Sequence, residues 1–296
     1  MKRTVNKMEL KKQEEIMRVL SRRMRPMLHR SMWEGLWEIR LRAGQPAELC
    51  GSWGSRLLPD FRASPEDLEE MVEFAAGHSV YAVTEDLRHG FLTLEGGHRL
   101  GGCGQAAVQN GQVTALREFS SVSLRISREV QGAAQALWDR LAWESPEHLL
   151  FIGPPGCGKT TLLRDFARLC AMRWHVGMVD ERGELAAMRG GIPGYALGPR
   201  TDVLTGCSRA EGIRMLVRSM APDVIITDEV GTQQDSAAVQ EGTLCGVAVV
   251  ASVHGHDIRD VLRRMPTLCQ QGSFQRVVML ARDFAKTGRY EMEELV

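Results

Sequence analysis

Eight consecutive residues, Gly153, Pro154, Pro155, Gly156, Cys157, Gly158, Lys159 and Thr160, match the phosphate-binding pattern GxxxxGK[ST] in full. The chemistry follows from the residue types. Glycines let the backbone wrap a polyphosphate, and the N–H groups at the start of the following helix, through Thr161, point at the anion. Lys159 has the reach for the β- and γ-phosphates, and the Thr160 hydroxyl is a ligand for Mg²⁺. The flanks agree: Leu149-Leu-Phe-Ile152 reads as a buried strand, and residues 161–172 carry apolar side chains at helical spacing. ATP and Mg²⁺ are the implied cofactors.

A second constellation is Asp223-Val-Ile-Ile-Thr-Asp228-Glu229, an apolar strand that ends in two acids. Asp228 at the carboxyl edge of a parallel sheet can hold Mg²⁺, and Glu229 beside it can orient the attacking water. An earlier strand ends in Val179-Asp180-Glu181-Arg182-Gly183-Glu184, where Asp180 or Glu181 can position water or Mg²⁺ and Arg182 can pair internally or contact phosphate. The strand Val247-Ala-Val-Val-Ala-Ser-Val253 runs straight into His254, whose ring can hydrogen-bond a γ-phosphate. Arg200, Arg209, Arg214 and Arg218 are all candidates for charge delivered to an adjacent subunit's nucleotide.

Positioning these groups requires a parallel sheet, and the second half of the chain alternates strand and helix accordingly. The pattern predicts strands over 149–152, 174–179, 223–227, 246–252 and 275–280, and helices over 160–172, 208–220, 233–244 and 257–264. The glycine-rich stretch 189–206 reads as a long loop. Upstream, the pattern predicts strands at 36–42 and 123–127, a helix from Pro65 capped by Ser64, a glycine-punctuated hairpin from Gly90 to Val108, and a helix over 131–142. The polar segment Trp143-Glu-Ser-Pro-Glu147 is the best boundary. Two domains are expected: an α+β domain over 1–145 and a P-loop ATPase domain over 146–296.

The chain has 296 residues, 44% of them apolar and 25% charged, with a formal net charge of zero. Residues 1–30 nevertheless carry ten Lys and Arg against three Glu, a net +7. Met8 to Met27 within that stretch reads as a basic amphipathic helix, suited to packing on its own domain, to anionic lipid or to nucleic acid. No run of 18 apolar residues occurs, and the N-terminus lacks the apolar core of a signal peptide. Seven cysteines without a Cys-x-x-Cys pair argue against a disulfide framework and a zinc site, and fit a cytoplasmic protein. Cys157, inside the phosphate loop, is expected to be a point of attack for alkylating reagents.

These motifs together resemble the stage III sporulation protein AA family, a branch of the secretion ATPases that power type II and type IV machines. The resemblance runs over most of the chain. It is carried by Glu38-Ile-Arg-Leu-Arg42, Gly101-Gly-Cys-Gly104, Ser123-Leu-Arg-Ile-Ser127, the phosphate loop, Val179-Asp-Glu-Arg182, Arg200-Thr-Asp-Val203, the segment from Arg218 to Gly231, and Ser252-Val-His-Gly255. It implies an α/β P-loop fold of the RecA/AAA-like secretion type, with Glu181 in an aspartate box and His254 in a histidine box beside the Walker A and Walker B motifs. It further implies a homo-hexameric ring with ATP between subunits, and a cytoplasmic motor, peripheral to the membrane through channel proteins of the forespore envelope. Many secretion ATPases carry glycine where Asp228 stands, which leaves the division of labour between Glu229 and Glu181 open. Two other readings stay open. One is a nucleic-acid-dependent ATPase, supported by the basic N-terminus and by Arg117, Arg125 and Arg128. The other is a nucleotide-gated assembly scaffold.

Overall fold

The computed structural model describes residues 7–77, 91–109, 111–127, 130–268 and 274–295. Gly90 and Arg128, named above, and the first six residues of the basic segment lie outside them. The chain forms two compact units: Met1–Arg128 with Arg189–Gly194, and Glu129–Met188 with Tyr195–Val296.

In the first unit, strands β1 (Leu36–Arg42), β2 (Pro46–Gly51), β3 (Gly54–Arg62), β4 (Phe91–Thr93), β5 (Arg99–Gln109) and β6 (Gln112–Arg125) form one sheet in the order β3-β2-β1-β6-β5-β4. Helix α1 (Lys7–Val19) and helix α2 (Pro65–Ala75) accompany the sheet. Ser64 and Asp67 close a capping box on α2, and Pro65 takes the first helical position, where a missing N–H costs nothing. The apolar face of the basic N-terminal segment is spent internally. Ile16, Val19, Leu20 and Met24 are buried with Leu68 and Met71 of α2. Several of its cations are also engaged with α2: Arg22 pairs with Glu70, Arg23 with Asp67, and the Arg22 and Arg25 guanidinium groups lie over the Phe74 ring. The strand expected at 123–127 is the end of β6, which begins at Gln112 and pairs with β5 throughout.

In the second unit, β7 (Leu149–Gly153), β8 (Val176–Asp180), β9 (Thr201–Thr205), β10 (Val224–Thr227), β11 (Ala248–His254), β12 (Arg276–Leu280) and β13 (Tyr290–Glu294) form a seven-stranded sheet in the order β13-β12-β7-β11-β10-β8-β9. Every pairing is parallel except β12 with β13. Strands β7, β8 and β10 are buried along their whole length, as strands covered on both faces must be. Alternate residues of β7 enter two different cores. Leu149 and Phe151 pack with α3 (Gln135–Leu141) and α4 (Lys159–Cys170), whereas Leu150 and Ile152 pack with α5 (Arg209–Ser219), α6 (Gln233–Leu244) and α7 (Ile258–Arg264). The sheet is therefore doubly wound, and its carboxyl edge is the place for a ligand. Trp138, Trp143, Trp174, Phe151 and Phe166 form an aromatic cluster on the α3–α4 side, with ring centroids 5.3–6.3 Å apart. A further short helix, α8 (Phe284–Thr287), follows β12.

Candidate functional site: the carboxyl edge of the parallel sheet

The phosphate loop joins β7 to α4, as its motif requires. Gly156 and Gly158 adopt φ of 74° and 106°, left-handed values that favour glycine. Gly153 serves close packing instead: a Cβ there would lie 2.7 Å from the Cys157 sulfur. That contact corrects the expectation for Cys157, whose thiol is fully buried under the loop and shielded from alkylating reagents. Pro155 and Gly156 form the exposed rim, while Pro154 is buried and Thr161 half-buried.

Lys159 is 4% exposed, and its ammonium donates to the carbonyls of Gly153 (2.9 Å) and Pro154 (3.0 Å) and to Nδ1 of His254 (3.0 Å). An ammonium has three protons, and here all three are used on neutral partners. Burial lowers the Lys159 pKa; the Cys157, Asp228 and Glu229 side chains work against that shift. A buried cation with no anion among its hydrogen-bond partners marks a place for one.

Thr160 Oγ donates to Oδ2 of Asp228 at 2.5 Å, so the two expected Mg²⁺ ligands meet although 68 residues separate them. Oδ1 of Asp228 accepts from the Ser252 hydroxyl and from the Glu229 amide (3.0 Å). Ser252 is fully buried on β11 and also accepts from the Glu229 amide at 3.0 Å. Among the described residues no group of three or more His, Cys, Asp or Glu side chains could hold a metal alone. A hydroxyl and one carboxylate fit Mg²⁺ completed by water and phosphate oxygens, as is usual for that ion.

Glu229 sits just past β10 with φ of 53°, a left-handed value uncommon for a residue with a side chain. Its Oε1 accepts from Nε2 of His254 at 2.8 Å, and its Oε2 binds the Arg182 guanidinium. Because Lys159 can only donate to Nδ1, the proton of the neutral imidazole resides on Nε2.

The loop after β8 brings the remaining acids. Asp180 is buried, and its two oxygens accept the Glu184 amide (2.8 Å) and the Ala186 amide (2.7 Å), so it shapes its own loop. Glu181 pairs with Arg209 at 2.5 Å. Arg209 is buried and also donates to the Asp228 carbonyl at 2.5 Å, which ties α5 to the end of β10 within one chain. Of the other arginines considered above, Arg200 donates to the Ala171 and Met172 carbonyls, Arg214 pairs with Glu241, and Arg218 is exposed. Lys159, Thr160, Glu181, Asp228, Glu229 and His254 thus gather at one sheet edge. Arg182, read as able to pair internally or to contact phosphate, pairs internally with Glu229, and Ser252 joins the group as a residue to which the motifs assigned no part, because a serine inside an apolar strand gives no local signal of its partners.

Comparison with known proteins places this arrangement. The profile of the family described as sporulation stage III, protein AA matches residues 10–291. Stage III sporulation protein AA of Bacillus subtilis (strain 168) is 38% identical over 258 residues, covering 84% of each chain. An uncharacterized protein, ycf45, of Porphyra purpurea is 32% identical over 176 residues, 57% of this chain and 30% of that protein. Among solved structures, the pilus retraction motor PilT with bound ADP superposes with a TM-score of 0.55 at 17% identity, over 83% of this chain and 74% of that one. The Legionella pneumophila ATPase DotB gives 0.53 at 16% identity, over 84% and 72%. The fold is the α/β P-loop fold of these solved structures.

Proposed function

The chain belongs to the stage III sporulation protein AA family, and we propose that it is an ATP-hydrolysing motor of the secretion type. The observation that carries this reading is the meeting of Lys159, Thr160, Asp228 and Glu229 at the end of the phosphate loop. A nucleotide-binding scaffold needs the first three. It has no use for a carboxylate such as Glu229 beside the metal-binding pair, supported by a histidine.

Lys159 and the N–H groups of residues 156–161 would hold the β- and γ-phosphates, and Thr160 with Asp228 would hold Mg²⁺. Bound Mg²⁺ supplies neutralisation of phosphate charge and a template for the terminal phosphoryl group. Glu229 would orient water for in-line attack, and His254, hydrogen-bonded to both Lys159 and Glu229, would sense the terminal phosphate. Glu181 would support the same edge through Arg209. The fold shared with secretion ATPases supports a homo-hexameric ring that energises a membrane channel of the forespore envelope during sporulation. No helix among the described residues is long and apolar enough to cross a membrane, so docking on that channel would run through partner proteins.

Three cations of the basic segment, Arg22, Arg23 and Arg25, are engaged with α2, which weighs against the nucleic-acid reading. The decisive experiment is ATP hydrolysis by the purified protein, with light scattering in the same buffer. Turnover should rise with protein concentration as a ring assembles, vanish in Lys159→Ala together with tight nucleotide binding, and give way to trapped ATP in Glu229→Gln. Near-normal turnover in Glu229→Gln would remove its assigned role.

A further inference from the structure

Glu229 is placed at a site of chemistry, yet each of its oxygens already holds a donor. The contacts run as a chain: loop carbonyls to Lys159, Lys159 to His254 Nδ1, His254 Nε2 to Glu229 Oε1, and Glu229 Oε2 to Arg182. The backbone of Glu229 is held as firmly, in its left-handed conformation, by Ser252 and Asp228. A conformation of that kind persists where its surroundings over-determine it, and it points to a switch when it falls at a site.

We propose that Arg182 and His254 latch Glu229 in a resting position, with Lys159 fastening the latch through His254, so that a nucleoside triphosphate in the loop frees the water-orienting carboxylate. The proposal rests on the hydrolytic reading above and specifies its regulation. All three Lys159 protons are committed, so a phosphate oxygen can gain the ammonium only by displacing a present partner. His254 is the most replaceable of the three, because its side chain is 40% exposed at a strand end whereas the two carbonyls belong to the loop itself. Once Lys159 turns to phosphate, nothing holds the imidazole proton on Nε2, and the bond to Glu229 becomes optional. Arg182 is then the remaining hold. Its side chain is 60% exposed, so the pair is weak enough to open. Arg182 is a positioning residue in this scheme, acting through Glu229.

Two readouts test the latch. The first needs no nucleotide: hydrogen exchange at the Glu229–Gly231 amides should quicken in Arg182→Gln and return toward wild type in Arg182→Lys, which keeps the charge. The second is affinity for a non-hydrolysable ATP analogue with Mg²⁺. Because binding must open the latch, Arg182→Gln should bind three- to fivefold tighter, about 0.7–1 kcal/mol at 1.4 kcal/mol per tenfold. Glu229→Gln should tighten binding similarly, and the double variant should be no tighter than the better single one. Basal turnover of Arg182→Gln should rise with KM not increased. Weaker binding in Arg182→Gln would make Arg182 a phosphate contact and overturn the latch. Unchanged exchange would overturn it equally, by making the ion pair idle. Absence of nucleotide binding in the wild-type protein would instead sink the hydrolytic reading, and the exchange measurement would still decide whether Arg182 holds Glu229.

Discussion

Ser252→Ala is the perturbation that best separates a built site from a coincidence of motifs. The hydroxyl is fully buried, donates to Oδ1 of Asp228 and accepts the Glu229 amide at 3.0 Å. The substitution removes one hydrogen bond to a carboxylate and one to a backbone amide. It leaves Oδ1 with only the Glu229 amide, at 3.0 Å. A buried bond to a charged group contributes about 1.5–3 kcal/mol and a neutral one about 1. The Glu229 amide keeps Oδ1 of Asp228 as acceptor, so the loss is mainly that of the bond to the carboxylate, about 1.5–3 kcal/mol, confined to the second unit. With a urea slope of about 2–3 kcal/mol per M, the transition of that unit should move down by about 1 M. Hydrogen exchange of the β10 and β11 amides reads it without interference from the first unit. The Ser219→Ala variant makes the same chemical change at an exposed helix end, where the hydroxyl bonds only the Met215 carbonyl, and should shift stability by no more than about 0.5 kcal/mol. Ser252→Ala should also weaken the Mg²⁺ dependence of nucleotide binding, because Asp228 loses the donor that aims it at Thr160. Equal shifts in the two variants with unchanged Mg²⁺ dependence would refute the role given to Ser252.

Further predictions follow from burial and packing. Alkylation of the native protein, read by mass spectrometry, should label exposed Cys103 and Cys245 and spare Cys157 until the second unit unfolds. Burial lowers the pKa of His148, whose Nδ1 accepts the Val249 amide at 3.0 Å. Below pH 6.5 the unfolded chain therefore binds a proton that the folded chain refuses. Stability should fall as pH drops through that range, with no contribution above it, and His148→Gln should flatten the slope. Gly212→Val should destabilise the second unit by at least ~1–3 kcal/mol in chemical unfolding, since even a Cβ there would stand 2.5 Å from a Val179 methyl.

Elements that read clearly in the sequence are those whose neighbours are dictated by local chemistry. Strands β7, β10 and β11 are apolar runs because both faces are covered, and α2 announces itself through Ser64 and Pro65. Strand β9 gave no such signal: Thr201–Thr205 lies at the sheet edge, half-buried, inside the stretch read as a long loop. Tyr290–Glu294 carries three glutamates, a pattern that suits a solvated edge and hides its partner β12. Strands β2 and β3 were missed for related reasons, since β3 is mostly exposed and contains Pro59.

The same contrast separates the members of the site. Lys159, Thr160, Asp228 and Glu229 were legible because phosphate and metal binding prescribe residue types at fixed distances from a strand end. What the sequence could not show is how their spare hydrogen-bonding capacity is filled. Lys159 turns to its own loop and to His254, Glu229 to Arg182, and Glu181 to Arg209. The pairings of Lys159 with His254 and of Glu229 with Arg182 join residues from different strand ends, so the order of strands in the sheet determines them. The charged groups of the candidate site are thereby mutually satisfied. Any ligand that binds these groups must exchange those bonds for its own.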